Sequence, residues 1–158
     1  MMQNMSEHLA RFRALLLFSG GFNILFASPL MVPGVAERYL FFMSDLNHLL
    51  HLGGAPFVTP ANPVHALLIN TAGIDLVLIG SIVLYAAQDP SARRGILLLN
   101  AIGRLLFAFV VGYYVLVEHA VRIVLLFALI DVVISVGFLY FLKLTGGCSW
   151  PARAETPA

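Results

Sequence analysis

Charge is what this sequence has least of. Nine Lys and Arg and eight Asp and Glu make up 11% of its 158 residues, and the net charge is +1. No run of basic residues gathers into a face for phosphates, which excludes a nucleic-acid partner. A single cysteine, Cys148, excludes an internal disulfide and a multi-cysteine metal site. Lying after the last apolar run, it reads as an idle surface thiol. There is no glycine-rich phosphate loop, no nucleophile elbow, and no Ser or Cys set beside a base, so the balance is against an enzyme.

What the chain has is apolar length. Apolar residues are 60% of it and the mean hydropathy is +0.92, well outside the composition of soluble domains. A spanning helix needs about 20 apolar residues. Four runs meet that length, at about 14–32, 64–87, 95–117 and 121–144. The first also resembles a signal peptide, with Arg11 and Arg13 before it and Ala27-Ser28 near its end. Its central Gly20, Gly21 and Asn23, and its continuation past that point, suit a packed helix better. Either glycine would let a neighbouring backbone approach.

Between the first two runs, residues 33–63 carry Pro33-Gly34, Gly53-Gly54, Pro56, Pro60 and Pro63. Residues 38–52 are long enough for one or two interfacial helices but too polar to span. Ser44 or Asp45 would cap the second piece, and Gly53-Gly54 would stop it. The later connections, 88–94 and 118–120, are short, so consecutive helices should be antiparallel neighbours. The tail, 145–158, reads as disordered. The expected architecture is an all-α, integral membrane four-helix bundle in one domain, with a short interfacial helix in the outer loop. Arg11, Arg13, Arg93, Arg94, Lys143 and Arg153 fall on one side and Arg38 and Arg122 on the other. That asymmetry places both termini in the cytoplasm.

Three charges interrupt the apolar runs. Asp75 lies 11 residues after Val64, Arg104 lies 10 after Arg94, and Asp131 lies 12 before Lys143. Each is therefore roughly 15–18 Å from a helix end, near mid-membrane. Facing lipid, each would cost about 3 kcal/mol, so the three are expected to face inward and meet. The planar guanidinium of Arg104 can serve two carboxylates, which makes a bridge from Asp75 through Arg104 to Asp131 the sharpest expectation. Thr71, Asn100 and Ser135 each lie one turn from one of the three and share its stripe. Asn23 brings an amide from the first helix. Short echoes, Ile74-Asp75-Leu76-Val77 with Ile130-Asp131-Val132-Val133 and Asn23 to Ala27 with Arg104 to Ala108, suggest two duplicated helix pairs.

Four apolar helices, Gly103-Arg104 in the third, and an aspartate in the second and in the fourth give a layout over residues 10–144 that resembles the DoxX-like bacterial membrane proteins, including their BphX-like branch. The resemblance implies a bacterial inner-membrane protein with a redox association.

His48, His51, His65 and His119 share the predicted outer face. Convergent imidazoles bind zinc, copper or haem, although histidine is also at home in the interface. Met31 and Met43 suit Cu(I), but methionine in apolar sequence is usually packing. Tyr39, Tyr85, Tyr113, Tyr114 and Tyr140 fall towards helix ends, as an aromatic belt requires. No cofactor is firmly implied, while a quinone or haem is compatible.

Three functions follow. In the first, the polar layer of Asp75, Arg104 and Asp131, completed by Asn23, Asn100, Thr71 and Ser135, binds a small lipophilic ligand such as a quinone or aromatic compound, or supports a membrane redox partner. In it Arg104 donates to a ligand oxygen. In the second, one Asp exchanges protons in a transporter or permease component. In the third, the layer only holds a structural membrane subunit in register.

Overall fold

The computed structural model describes residues 2–57 and 62–145. Its described elements are all helical: α1 (Met2–Ala27), a 3-10 turn (Ser28–Met31), α2 (Val35–Leu49), α3 (Pro63–Ala86), α4 (Arg94–Leu116) and α5 (Val124–Leu144). Four stretches, Glu7–Met31, Pro63–Ala86, Arg94–Leu116 and Val124–Leu144, are long and apolar enough to cross a membrane. Leucine, valine and phenylalanine cover much of their outer surfaces, Leu78, Leu106, Phe109 and Val133 among them. Apolar surface of that extent needs lipid rather than water around it. The described fold is thus all-helical, and its four long apolar helices have the length and composition of a multi-pass membrane protein.

The helices pack as two antiparallel pairs, α1 on α3 and α4 on α5, joined mainly where α1 meets α5. Glycine sets the first pair. A Cβ on Gly20 would stand 2.8 Å from the carbonyl oxygen of Gly80, and one on Gly80 would stand 2.9 Å from that of Gly20. With hydrogen at both positions the backbones come close enough for dispersion to hold the helices where lipid supplies no hydrophobic drive. Gly21, expected to serve equally, meets nothing.

Two apolar clusters fill the interior. Phe12, Leu16, Val83, Leu97, Ala101, Ile134 and Phe138 pack at the end that holds the α3–α4 connection. At the other end Met43, Val121 and Ile123 pack with Tyr39, Leu46 and Phe127. Asn47, 3% exposed, pins that second end. Its amide donates to the Gly53 carbonyl at 3.1 Å and accepts from the Ile123 N–H at 3.0 Å, tying the loop to the start of α5.

Element boundaries depart from expectation in three places. The polar residues before Ala14 continue α1, since nothing there breaks a helix; the change to 3-10 comes at Ser28-Pro29. One helix, α2, runs through Ser44 and Asp45 without a second start. Gly34, with φ 78°, precedes it, and His51, Gly53 and Gly54, with φ 53°, 76° and 89°, turn the chain away after it. The last helix begins at Val124, because residues 121–123 form the turn that Asn47 holds. Pro60, Cys148, Arg153 and the expected tail beyond Thr145 lie outside the described residues.

Candidate ligand-binding site

Between the two apolar clusters sits Arg104, 5% exposed. Its Nε donates to Asn100 Oδ1 at 2.9 Å, one turn back on α4. Its Nη2 donates to Ser19 Oγ at 2.9 Å, on α1. Its Nη1 donates to Asp131 Oδ1, on α5, in the single ion pair among the described residues. A guanidinium in this depth of protein needs its fan of donors satisfied. Three helices supply the acceptors, and the pair Arg104–Asp131 closes with no net charge.

Asp75 is not part of it. The expected Asp75–Arg104–Asp131 bridge is replaced by Asp131, Asn100 and Ser19, and both Asp75 and Thr71 are exposed on the outside of α3. The cause is how the glycines orient α3. Gly73 lies against the backbone of Leu30 and Met31, and Gly80 against Gly20, which turns that side of α3 towards α1. At about 100° per residue, Asp75 is rotated roughly 160° from Gly73 and 140° from Gly80, onto the opposite face. Ser135 is buried, but its hydroxyl donates to the Asp131 backbone carbonyl at 2.7 Å and so offers nothing to the site.

Ser19 is the residue that sequence reasoning passed over. A lone serine between Phe18 and Gly20 looks inert, yet it lies one turn before Asn23 on the same stripe of α1. A neutral hydroxyl carries no insertion penalty that would have flagged it.

Directly beside the ion pair is a cavity of about 240 Å³. Phe22, Phe26, Phe107 and Phe127 form much of its wall, with Leu76 of α3 and Met43 of α2. The rings are interlocked: Phe22 and Phe26 centroids are 4.6 Å apart, and Phe26 meets Phe127 edge-on at 5.6 Å. Only Asn23, Tyr39 and Asp131 bring polar side chains to the lining. Asp131, with a 14% exposed side chain, gives Oδ1 to Arg104, and among the described residues nothing donates to its Oδ2. Tyr39, on α2, also lines this space. Burial pushes its phenol above the ordinary value.

The four candidate histidines are exposed, and His51 and His119 occupy left-handed backbone positions, φ 53° and 55°. Among the described residues no three His, Cys, Asp or Glu come together as a metal site. Met43 is buried packing, 6% exposed.

Compared with protein families, with curated proteins and with solved structures, the chain matches none.

Proposed function

We propose that this chain is a bacterial inner-membrane protein, with both termini cytoplasmic, that binds a small lipophilic ligand in the cavity beside Asp131. The observation that carries the reading is the join of an aromatic-walled space to a carboxylate with one oxygen free. Engineered apolar cavities of roughly 150 Å³ take up benzene, so about 240 Å³ suits one substituted ring. Because Arg104 balances Asp131, a neutral ligand is favoured over a cation. A hydroxyl or amine on the ring would donate to Asp131 Oδ2, while Asn23 and Tyr39 hold a second polar substituent.

The role expected for Arg104 changes accordingly. Its Nε, Nη1 and Nη2 each donate to a protein acceptor, and Asp131 rather than Arg104 lines the cavity, so Arg104 positions the carboxylate and the carboxylate meets the ligand. Monocyclic phenols, hydroquinones and aromatic amines fit this chemistry, and a hydroquinone is compatible with the redox association that the DoxX-like layout implies.

The test is saturation-transfer NMR with p-cresol and the protein in lipid nanodiscs, against empty nanodiscs. Val124 also lines the cavity, and Val124→Phe, which fills it without replacing a charge, should abolish the transfer. Transfer that persists in Val124→Phe places the ligand elsewhere and removes the proposal.

A further inference from the structure

One charge in the spanning region is left unabsorbed by the site. Asp75 is exposed near the middle of Pro63–Ala86 and has no ion-pair partner among the described residues. Leu68, Thr71, Leu78 and Ile82, at helical spacing around it, are exposed on the same stripe. The face is apolar except for one hydroxyl and one carboxylate at mid-depth. Acyl chains can hold the leucines but offer the carboxylate nothing, and intramembrane carboxylates normally find a partner.

A second copy of the chain is a poor occupant. Two copies related by an axis along the membrane normal keep every residue at its own depth, so Asp75 would meet Asp75. Among the described residues no exposed cation lies at that level. Arg104 is buried and paired. Arg38 and Arg122 lie towards the α2 end of the bundle, and Arg11, Arg13, Arg93, Arg94 and Lys143 towards the α3–α4 connection.

We propose that the α3 face centred on Asp75 docks a transmembrane helix of another protein that carries an Arg or Lys near its middle. Leu68, Leu78 and Ile82 pack on the partner helix, Asp75 takes its cation, and the Thr71 hydroxyl accepts a remaining donor. The inference is separate from the cavity, to which α3 contributes Leu76 and not Asp75.

The test uses energy transfer in phosphatidylcholine vesicles between the labelled full chain and synthetic Leu/Ala helices of about 20 residues, with either Arg or Leu at the centre. The Arg helix should associate at least about tenfold more strongly than the Leu helix. That preference should disappear in Asp75→Leu and survive in Asp75→Glu. Because Asp75 points outward, Asp75→Leu keeps the bundle, and a helical circular dichroism spectrum matching that of the wild type verifies it. Equal association of the two helices, or a preference that survives Asp75→Leu, overturns the proposal. Loss in Asp75→Leu of transfer between two labelled copies of the chain also overturns it, because the face would then join copies of this protein.

Discussion

The Nη2 of Arg104 and the hydroxyl of Ser19 are 2.9 Å apart although 85 residues separate them in the chain. This contact ties the two helix pairs together, since Ser19 belongs to the α1–α3 pair and Arg104 to the α4–α5 pair. Hydrogen bonds to charged groups are worth about 1.5–3 kcal/mol in soluble proteins, while those between membrane helices average about 0.6. Arg104 keeps two other partners, so Ser19→Ala should cost about 1 kcal/mol, read from denaturant titration of the protein in detergent micelles. No change would mean that Asn100 and Asp131 alone hold the guanidinium.

The two mid-membrane aspartates should respond in opposite directions. Asp131→Leu leaves Arg104 buried without its counter-charge and should cost about 3–5 kcal/mol, much of which Arg104→Met restores when both are replaced. Asp75→Leu exchanges a lipid-facing carboxylate for an apolar side chain and should stabilise the isolated protein by about 1–3 kcal/mol. The same titration reads both. A destabilising Asp75→Leu would show that Asp75 has a partner inside the bundle.

Two glycines in spanning helices should differ as sharply. Gly80→Val pushes a side chain into the Gly20 carbonyl and the Asn23 and Ile24 side chains, all within 3.0 Å of a Cβ there, and should cost about 1–3 kcal/mol. Gly103→Ala meets nothing within 4 Å and should leave stability unchanged or raise it by up to about 1 kcal/mol. Thermal unfolding followed by circular dichroism separates the two.

Tyr39 gives the account a pH signature. Its phenol is raised because the wall of the cavity disfavours the phenolate. A group whose folded value lies above its unfolded value lends stability that is complete below the unfolded value and declines as pH rises through the folded one. The contribution should therefore be intact up to about pH 10 and fall above it. The difference in ultraviolet phenolate absorbance between wild type and Tyr39→Phe should titrate above the ordinary range, and it should move further up when p-cresol is bound. A Tyr39 that titrates normally would place it in solvent.

The four apolar spans and the meeting of Arg104, Asn100 and Asp131 were legible in the sequence. Length reveals a spanning helix, and one cation among apolar residues demands an acceptor one turn away or at equal depth on another helix. The rotation of α3 was not legible. In a soluble helix the apolar stripe marks the inward face, but a helix bathed in lipid is apolar all round and loses that signal. The cue that remained was the spacing of Gly73 and Gly80, two turns apart, which marks the close face and so turns Asp75 out. Ser19 escaped because it adds a polar partner without adding charge. The cavity escaped because its wall is assembled from α1, α2, α3, α4 and α5, and no single stretch of sequence displays it.

The most direct measurement is the ratio of dissociation constants for p-cresol and p-xylene with the wild-type protein in nanodiscs, corrected for partition into the lipid. The two ligands share one ring and nearly one shape, and differ in a single hydroxyl. If Asp131 Oδ2 accepts from the ligand, p-cresol should bind at least about tenfold more tightly, a difference of about 1.4 kcal/mol. Equal affinities would contradict the assignment of Asp131 as the group that recognises the ligand.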